Sequence, residues 1–347
     1  MGSRPREAGR LKTRSFLKWS PWVLCLLVLI TFLAGVVIGA VTIPLPAAVK
    51  AMFGVQGDTV SPMHRLIVTQ IRLPRVLLGL LVGAALAVSG TAMQGLFRNP
   101  LASPYILGIA GGASSGAALV ILSGTRSPLL LPLGAFAGAA LAASIVYWLA
   151  RGRDRKTSIF TLILGGVAIG ALFSAVTSFL IFLSSRGEHL ADILFWIMGG
   201  LGRATWLSTY ILAPVVGIGT AVVFFFARDL NALSTGEEGA FHLGVNPNTL
   251  SRWMLLATTV LTASAVAMAG TIGFIGLVIP HVVRLITGPN HRTLIPISAV
   301  VGACFLVWAD LAARTIVTPA ELPVGVITAF LGAPFFLYLL KTKGAKL

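Results

Sequence analysis

From Val76 to Leu96 the chain runs for about twenty residues without a formal charge, between Arg72 and Arg75 on one side and Arg98 on the other. A hydrocarbon core of about 30 Å takes roughly twenty helical residues to cross. The stretch is therefore a helix spanning a bilayer, with the arginines at its two water interfaces. Asn99 and Pro100 break the run and a second apolar run follows, so the chain turns tightly and crosses back. The span carries Gly79, Gly83, Ala84, Ala87 and Gly90, small residues that let backbones approach closely where lipid offers no hydrophobic drive. GxxxG spacings also begin at Gly35, Gly112, Gly134 and Gly166. Repeated so often, the motif signals a tightly packed bundle and nothing more.

The remainder has the same character. With 56% hydrophobic and 10% charged residues and a mean hydropathy of +0.94, the chain lies far from soluble domains, of which about a quarter is charged. Ten spans account for the apolar runs, at about 22–43, 75–96, 103–122, 129–150, 158–183, 206–227, 249–268, 273–287, 293–313 and 323–340. Residues 22–341 form one membrane domain, preceded by a basic segment, 1–21, and followed by a tail, 342–347. A net charge of +16 would suggest nucleic acid in a soluble protein. Here, with a cytosolic N-terminus, eighteen of the 26 Lys and Arg fall on the cytosolic side, and the positive-inside rule places both termini there. The run from Trp22 to Ile43 is too long for a signal-peptide core of 7–15 residues and reads as the first retained span.

Three segments depart from simple crossing. In the outer segment 44–71, PLPAAVKAMFG predicts a short interfacial helix. Residues 184–205 hold ADILFWIMGGLG, apolar but too short to span; Met198, Gly199 and Gly200 either line a pathway or end a helix lying on the surface. The run from Gly270 to Leu285, interrupted by Gly273, Gly276 and Pro280, is either a broken helix of transport machinery or a kinked helix satisfied by its neighbours. His281 and Arg284 are read as interface residues. The one sizeable polar loop, 228–248, predicts a short helix capped by Ser234 or Thr235, with Glu237 and Glu238 in its first turn and Gly244 at its end. Such a helix is a docking element for a partner or an interfacial loop.

Enzyme chemistry finds little support. There is no GxxxxGK[ST] sequence to cradle ATP phosphates and no GxSxG elbow, and the five histidines are scattered without the spacing of metal ligands. Cys25 and Cys304 lie in apolar runs and are read as packing residues. Asp310 and Arg314, four apart near the outer end of the ninth span, can neutralise each other, with Arg314 reaching water.

Several stretches, in matching order and spacing from about Trp22 to Lys341, resemble the permease subunits of ATP-binding-cassette importers for vitamin B12, ferric siderophores and haem. They are RLPR at 72–75, MQGLFRNPLASP at 93–104, the GEE-led loop at 236–244, GFIGLVIPHVVRL at 273–285, and ADLAAR with AELPVGVITAFLGAPFFLYLL at 309–340. The resemblance implies an all-α integral membrane protein of ten transmembrane helices, a type II importer permease fold and a homodimer with the path at its two-fold interface. It also implies two separate ATPase subunits, which bind ATP and Mg, on the cytosolic side and a substrate-binding protein on the outer side, with no metal or cofactor in this chain. Residue by residue, Arg72, Arg75 and Arg314 match the arginines that meet glutamates of the binding protein. Asn99 and Leu101 match one cytosolic gate, and Thr157 with Ser158 the other; the residues alone also read as a turn and a helix N-cap, and the two readings are compatible. Glu237, Glu238, Ala240 and Gly244 match the coupling motif E-A-A-x-x-x-G, with Gly239 where the motif has alanine. The expected function is translocation of a metal chelate across the inner membrane. The alternative is a secondary transporter driven by an ion gradient, for which Asp310 is the candidate acid.

Overall fold

The computed structural model of the protein describes residues 5–54, 61–125, 127–152, 158–184 and 189–343. All regular elements among them are helices. α1 (Pro5–Val37) is followed by α2 (Leu45–Met52), α3 (Pro62–Leu66) and a wider π-helical turn, Ile67–Arg72, that continues into α4 (Leu73–Leu96). Then come α5 (Ile109–Leu122), α6 (Leu130–Ala150), α7 (Ile159–Leu183), α8 (His189–Met198), α9 (Trp206–Phe225), α10 (Ala227–Leu233) and α11 (Glu237–His242). α12 (Pro247–Ala269), α13 (Ile275–Thr287), α14 (His291–Ala313) and α15 (Val324–Lys343) complete the chain.

Each expected span contains one of these helices. Six helical stretches among the described residues are long and apolar enough to cross a membrane unaided, whereas Pro21–Val37, Ile109–Leu122, Ile275–Thr287 and Val324–Tyr338 are apolar but shorter. Polar residues set the starts. Ser158 accepts the Thr161 N–H at 3.2 Å to cap α7, Thr205 and Ser208 form a reciprocal capping box on α9, and Asn246 before Pro247 caps α12. Each such cap satisfies donors that the first helical turn leaves unpaired and is worth about 1 kcal/mol.

Two segments are more helical than their sequence suggests. Residues 62–72, expected as outer loop, extend the second span outward, with Ser61 capping and Pro62 opening the extension. In the polar loop, α10 precedes α11, and the cap of α11 is Gly236 rather than Ser234 or Thr235. Those two hydroxyls turn back to the carbonyls of Asn231 and Ala232 at 2.6 and 2.8 Å, which removes them from the capping position.

The bundle is built around α4, which packs against α14, α12, α13 and α9. Of the apolar window in Pro62–Leu96, 78% is buried, against 11% in α7; α4 is the central pillar and α7 lies outside. Close approach depends on glycine. A Cβ at Gly83 would collide with the Gly302 carbonyl of α14, and one at Gly90 with the Gly276 carbonyl of α13. Pro280 deprives that Gly276 carbonyl of its helical donor, while Gln94 of α4 donates to the next carbonyl, Leu277, at 3.0 Å. The kinked α13 is thus stabilised by its neighbour. His281, expected at the interface, is instead buried.

Candidate functional site

Connectivity puts the starts of α4, α6, α9 and α15 at one end of the bundle with the ends of α5, α12 and α14. At this end lies a cavity of about 900 Å³ whose walls include Arg75, Trp196, Gly199, Gly200, Met268 and Glu321. Its mouth carries an exposed ion pair, Arg203 to Asp192 at 2.9 Å.

Behind the cavity the three predicted arginines are 4, 7 and 6% exposed at Arg72, Arg75 and Arg314. Arg72 donates to the carbonyls of Val36 and Val37 at 2.8 and 2.6 Å and also to that of Val41. Arg314 donates to the Gly35 carbonyl at 2.7 Å. Both therefore satisfy carbonyls that the end of α1 leaves without helical donors. Arg72 reaches them because Gly39 has no side chain: a Cβ there would stand 2.8 Å from Arg72 Nη2. The expectation that Arg314 reaches water is corrected, since α1 covers it.

Arg75 is bonded to carboxylates. Its Nε donates to both Asp310 oxygens at 3.0 and 3.1 Å, Nη2 to Asp310 Oδ1 at 2.8 Å, and Nη1 to Glu321 Oε1 at 2.9 Å. Arg314, the partner expected from spacing, lies farther from Asp310, at 3.5 Å. Asp310 is buried, whereas the Glu321 side chain is 48% exposed. The main partner of Asp310 is 235 positions away, which no local spacing reveals.

Below the cavity, the break after α8 at Gly199 and Gly200 meets the break between α12 and α13. α13, with 13 residues, is about 20 Å long at 1.5 Å per residue, too short to cross the hydrocarbon. The irregular segment 270–274 therefore lies at membrane depth, where backbone groups need protein partners. Within it the Ile272 carbonyl accepts from Tyr105 Oη at 2.9 Å and the Gly270 N–H donates to the Val266 carbonyl at 2.8 Å, while Thr271 Oγ1 donates to the Ile197 carbonyl and, beside it, Gly200 N–H donates to the Ala269 carbonyl at 2.8 Å. Gly199 has φ +72° and Gly270 φ +71°, and a Cβ on Gly270 would strike the Trp196 carbonyl. Gly199 and Gly200 line the cavity, and Met198 is not among its walls.

At the opposite end lie the turn after α4, the start of α7, and α10 with α11. Asn99 Oδ1 accepts the Leu101 N–H at 2.9 Å, closing the turn, and Ser158 caps α7; Thr157 lies outside the described residues. Arg98 Nη1 stands 3.7 Å from where a Cβ on Gly236 would be, so this turn borders α11. Ala240 is fully buried and anchors α11, Glu237 and Glu238 are exposed, and Gly244, at φ +81°, follows the helix end. At Gly239, the departure from the motif, a Cβ would stand 2.4 Å from Thr235 Oγ1, so that side chain would have to shift to admit alanine. Phe241 and Leu243 are 69 and 65% exposed, an apolar pair beside two glutamates. Sequence reasoning passed over them, although two large apolar residues in a polar loop flanking the anchoring Ala240 were a usable signal. Cys25, read as a packing residue, is exposed, and Cys304 is buried.

The FecCD transport family profile matches residues 26–342. The cobalamin import system permease protein of Halobacterium salinarum is 45% identical over 87% of this chain and 80% of its own length. The hemin transport system permease protein of Yersinia pestis is 46% identical over 78% of this chain and 81% of its own length. Among solved structures, an inward-facing metal-chelate type ABC transporter superposes with a TM-score of 0.81 at 33% identity, covering 92% of this chain and 98% of that one.

Proposed function

The chain belongs to the FecCD transport family, and on that premise we propose that it is the membrane permease subunit of an ATP-driven importer that carries a metal chelate, of the cobalamin, haem or ferric-siderophore class, into the cytoplasm. The observation that carries this reading is the match to cobalamin and hemin permeases over most of both lengths. The geometry agrees with it, since a cavity opens at one end and a short anchored helix with exposed carboxylates and apolar side chains stands at the other. In this reading the chain crosses the inner membrane ten times with both termini in the cytosol. It pairs with a second copy and works with two ATPase subunits and an extracytoplasmic binding protein. α11 is the ATPase contact, through Glu237, Glu238, Ala240 and Gly244, and Phe241 with Leu243 extends that surface. Asn99 and Leu101, with Thr157 and Ser158, form the cytosolic gates. Gly199 and Gly200, with Met198 beside them, border the path.

Of the three arginines proposed to dock the binding protein, Arg72, Arg75 and Arg314, Arg75 is the best placed. Arg72 and Arg314 are spent on the end of α1, whereas one arm of Arg75 rests on the half-exposed Glu321 and is available by exchange for a carboxylate of the partner. Guanidinium suits that role because it holds carboxylates in fixed, paired geometry.

The test is uptake into proteoliposomes containing this chain, with and without its ATPase, binding protein and ATP, offering cobalamin, haem and a ferric siderophore in turn. Uptake that needs the full set is expected. Uptake by the chain alone under a proton or sodium gradient overturns the proposal, and would have to act through an Asp310 that Arg75 and Arg314 already neutralise.

A further inference from the structure

α10 joins α9 to α11 and packs against α14 and α4, seated by the buried Ala227, Leu230 and Leu233. Its Asn231 makes three bonds to the start of α14. Nδ2 donates to Asn290 Oδ1 at 2.9 Å, while Oδ1 accepts the His291 N–H at 2.9 Å and faces His291 Nδ1 at 2.8 Å. Asn290 Oδ1 in turn accepts the Arg292 N–H at 3.0 Å. The first turn of α14 is thus capped jointly, by its own Asn290 and by a residue 60 positions earlier. His291 is buried, so moving α10 away takes Asn231 Oδ1, the acceptor of its backbone N–H and the partner of its Nδ1, from a poorly hydrated position. The imidazole also abuts α4, because a Cβ on Gly95 would stand 2.6 Å from His291 Nε2. At its far end α14 carries Asp310, held by Arg75.

We propose that Asn231 is a positioning residue for transport: it fastens the segment bearing α11 to α14, so that a displacement of α11 by the ATPase moves α14 rather than being lost in the loop. This rests on α11 being the ATPase contact. The competing arrangement passes motion through the apolar side chains of α10 alone and makes Asn231 dispensable.

The experiment measures ATP hydrolysed per molecule of cargo accumulated, in proteoliposomes holding the full complex, with cobalamin, haem or a ferric siderophore as cargo. Asn231→Ala is expected to raise that ratio about tenfold, within the usual range of coupling between sites. Asn231→Asp, which keeps both acceptor bonds to His291 but puts an oxygen where Nδ2 donates to Asn290 Oδ1, is expected to raise the ratio less than Asn231→Ala does. A wild-type ratio in Asn231→Ala overturns the inference. The double variant Glu237→Ala/Glu238→Ala separates the two levels: if it uncouples while Asn231→Ala does not, only this inference fails, and if it stays coupled, the reading of α11 fails. Should Asn231→Ala not assemble, Asn231→Gln, which keeps the amide but displaces it by one methylene, takes its place with the same two outcomes.

Discussion

Asp310 accepts from Arg75 on both carboxylate oxygens and lies 3.5 Å from Arg314, all three side chains being buried. A buried ion pair adds little net stability when whole, because desolvation offsets attraction, but removing one partner leaves an uncompensated charge and costs about 3–5 kcal/mol. Asp310→Ala is therefore expected to lower the stability of the purified protein in detergent by about that amount. Arg75→Met combined with Asp310→Leu is expected to recover more than half of the loss, as read by thermal unfolding. An equal loss in the single and double variants would mean that the charge balance is not what holds this corner. At this scale the sequence was half legible. The i, i+4 spacing of Asp310 and Arg314 could be seen, but the stronger partner could not, since nothing local ties position 75 to position 310. Likewise RLPR was legible as a motif, yet the motif did not say that Arg72 turns inward to the end of α1.

Helices were legible because lipid forces the chain to satisfy its backbone within each crossing, which leaves long apolar runs; the cap of α7 at Ser158 could be read with them, whereas that of α12 at Asn246 came only with the structure. What was hidden is which helical glycines are contacts. Gly112 and Gly116 of α5 lie against Gly138 and Gly134 of α6, backbone to backbone, whereas a Cβ on Gly217 of α9 would meet nothing within 4 Å. Gly116→Val is expected to cost about 1–3 kcal/mol, the usual range for forcing atoms into a packed contact. Gly217→Val should leave thermal stability within about 0.5 kcal/mol. Similar losses in both would show that glycine acts there through the chain's freedom and not through the contact. The irregular segment 270–274 was partly legible for the same reason: Gly273, Gly276 and Pro280 announced a break, but its partner on α8, the Ile197 carbonyl, comes from another part of the chain.

α7 packs against α5 and α6 on the outside of the bundle and leaves one side exposed, and its sequence is not that of a helix facing lipid alone. Its exposed side includes Ala168, Ala171, Ala175 and Ser178, spaced three and four apart and so on one face. Small residues give nothing to a lipid contact but permit close helix packing. In the homodimer proposed above, the second copy would cover this face, and a surface completed by another chain looks unfinished in one. In a background with Cys25→Ser and Cys304→Ser, Ala171→Cys or Ser174→Cys is expected to give a band at twice the chain mass after oxidation in membranes. Trp22→Cys, on the exposed part of α1, is expected to give none. Failure of both α7 positions to cross-link, with uptake intact, would move the two-fold axis away from α7. It would leave the exposed side of that helix to lipid and require another face of the bundle to close the path.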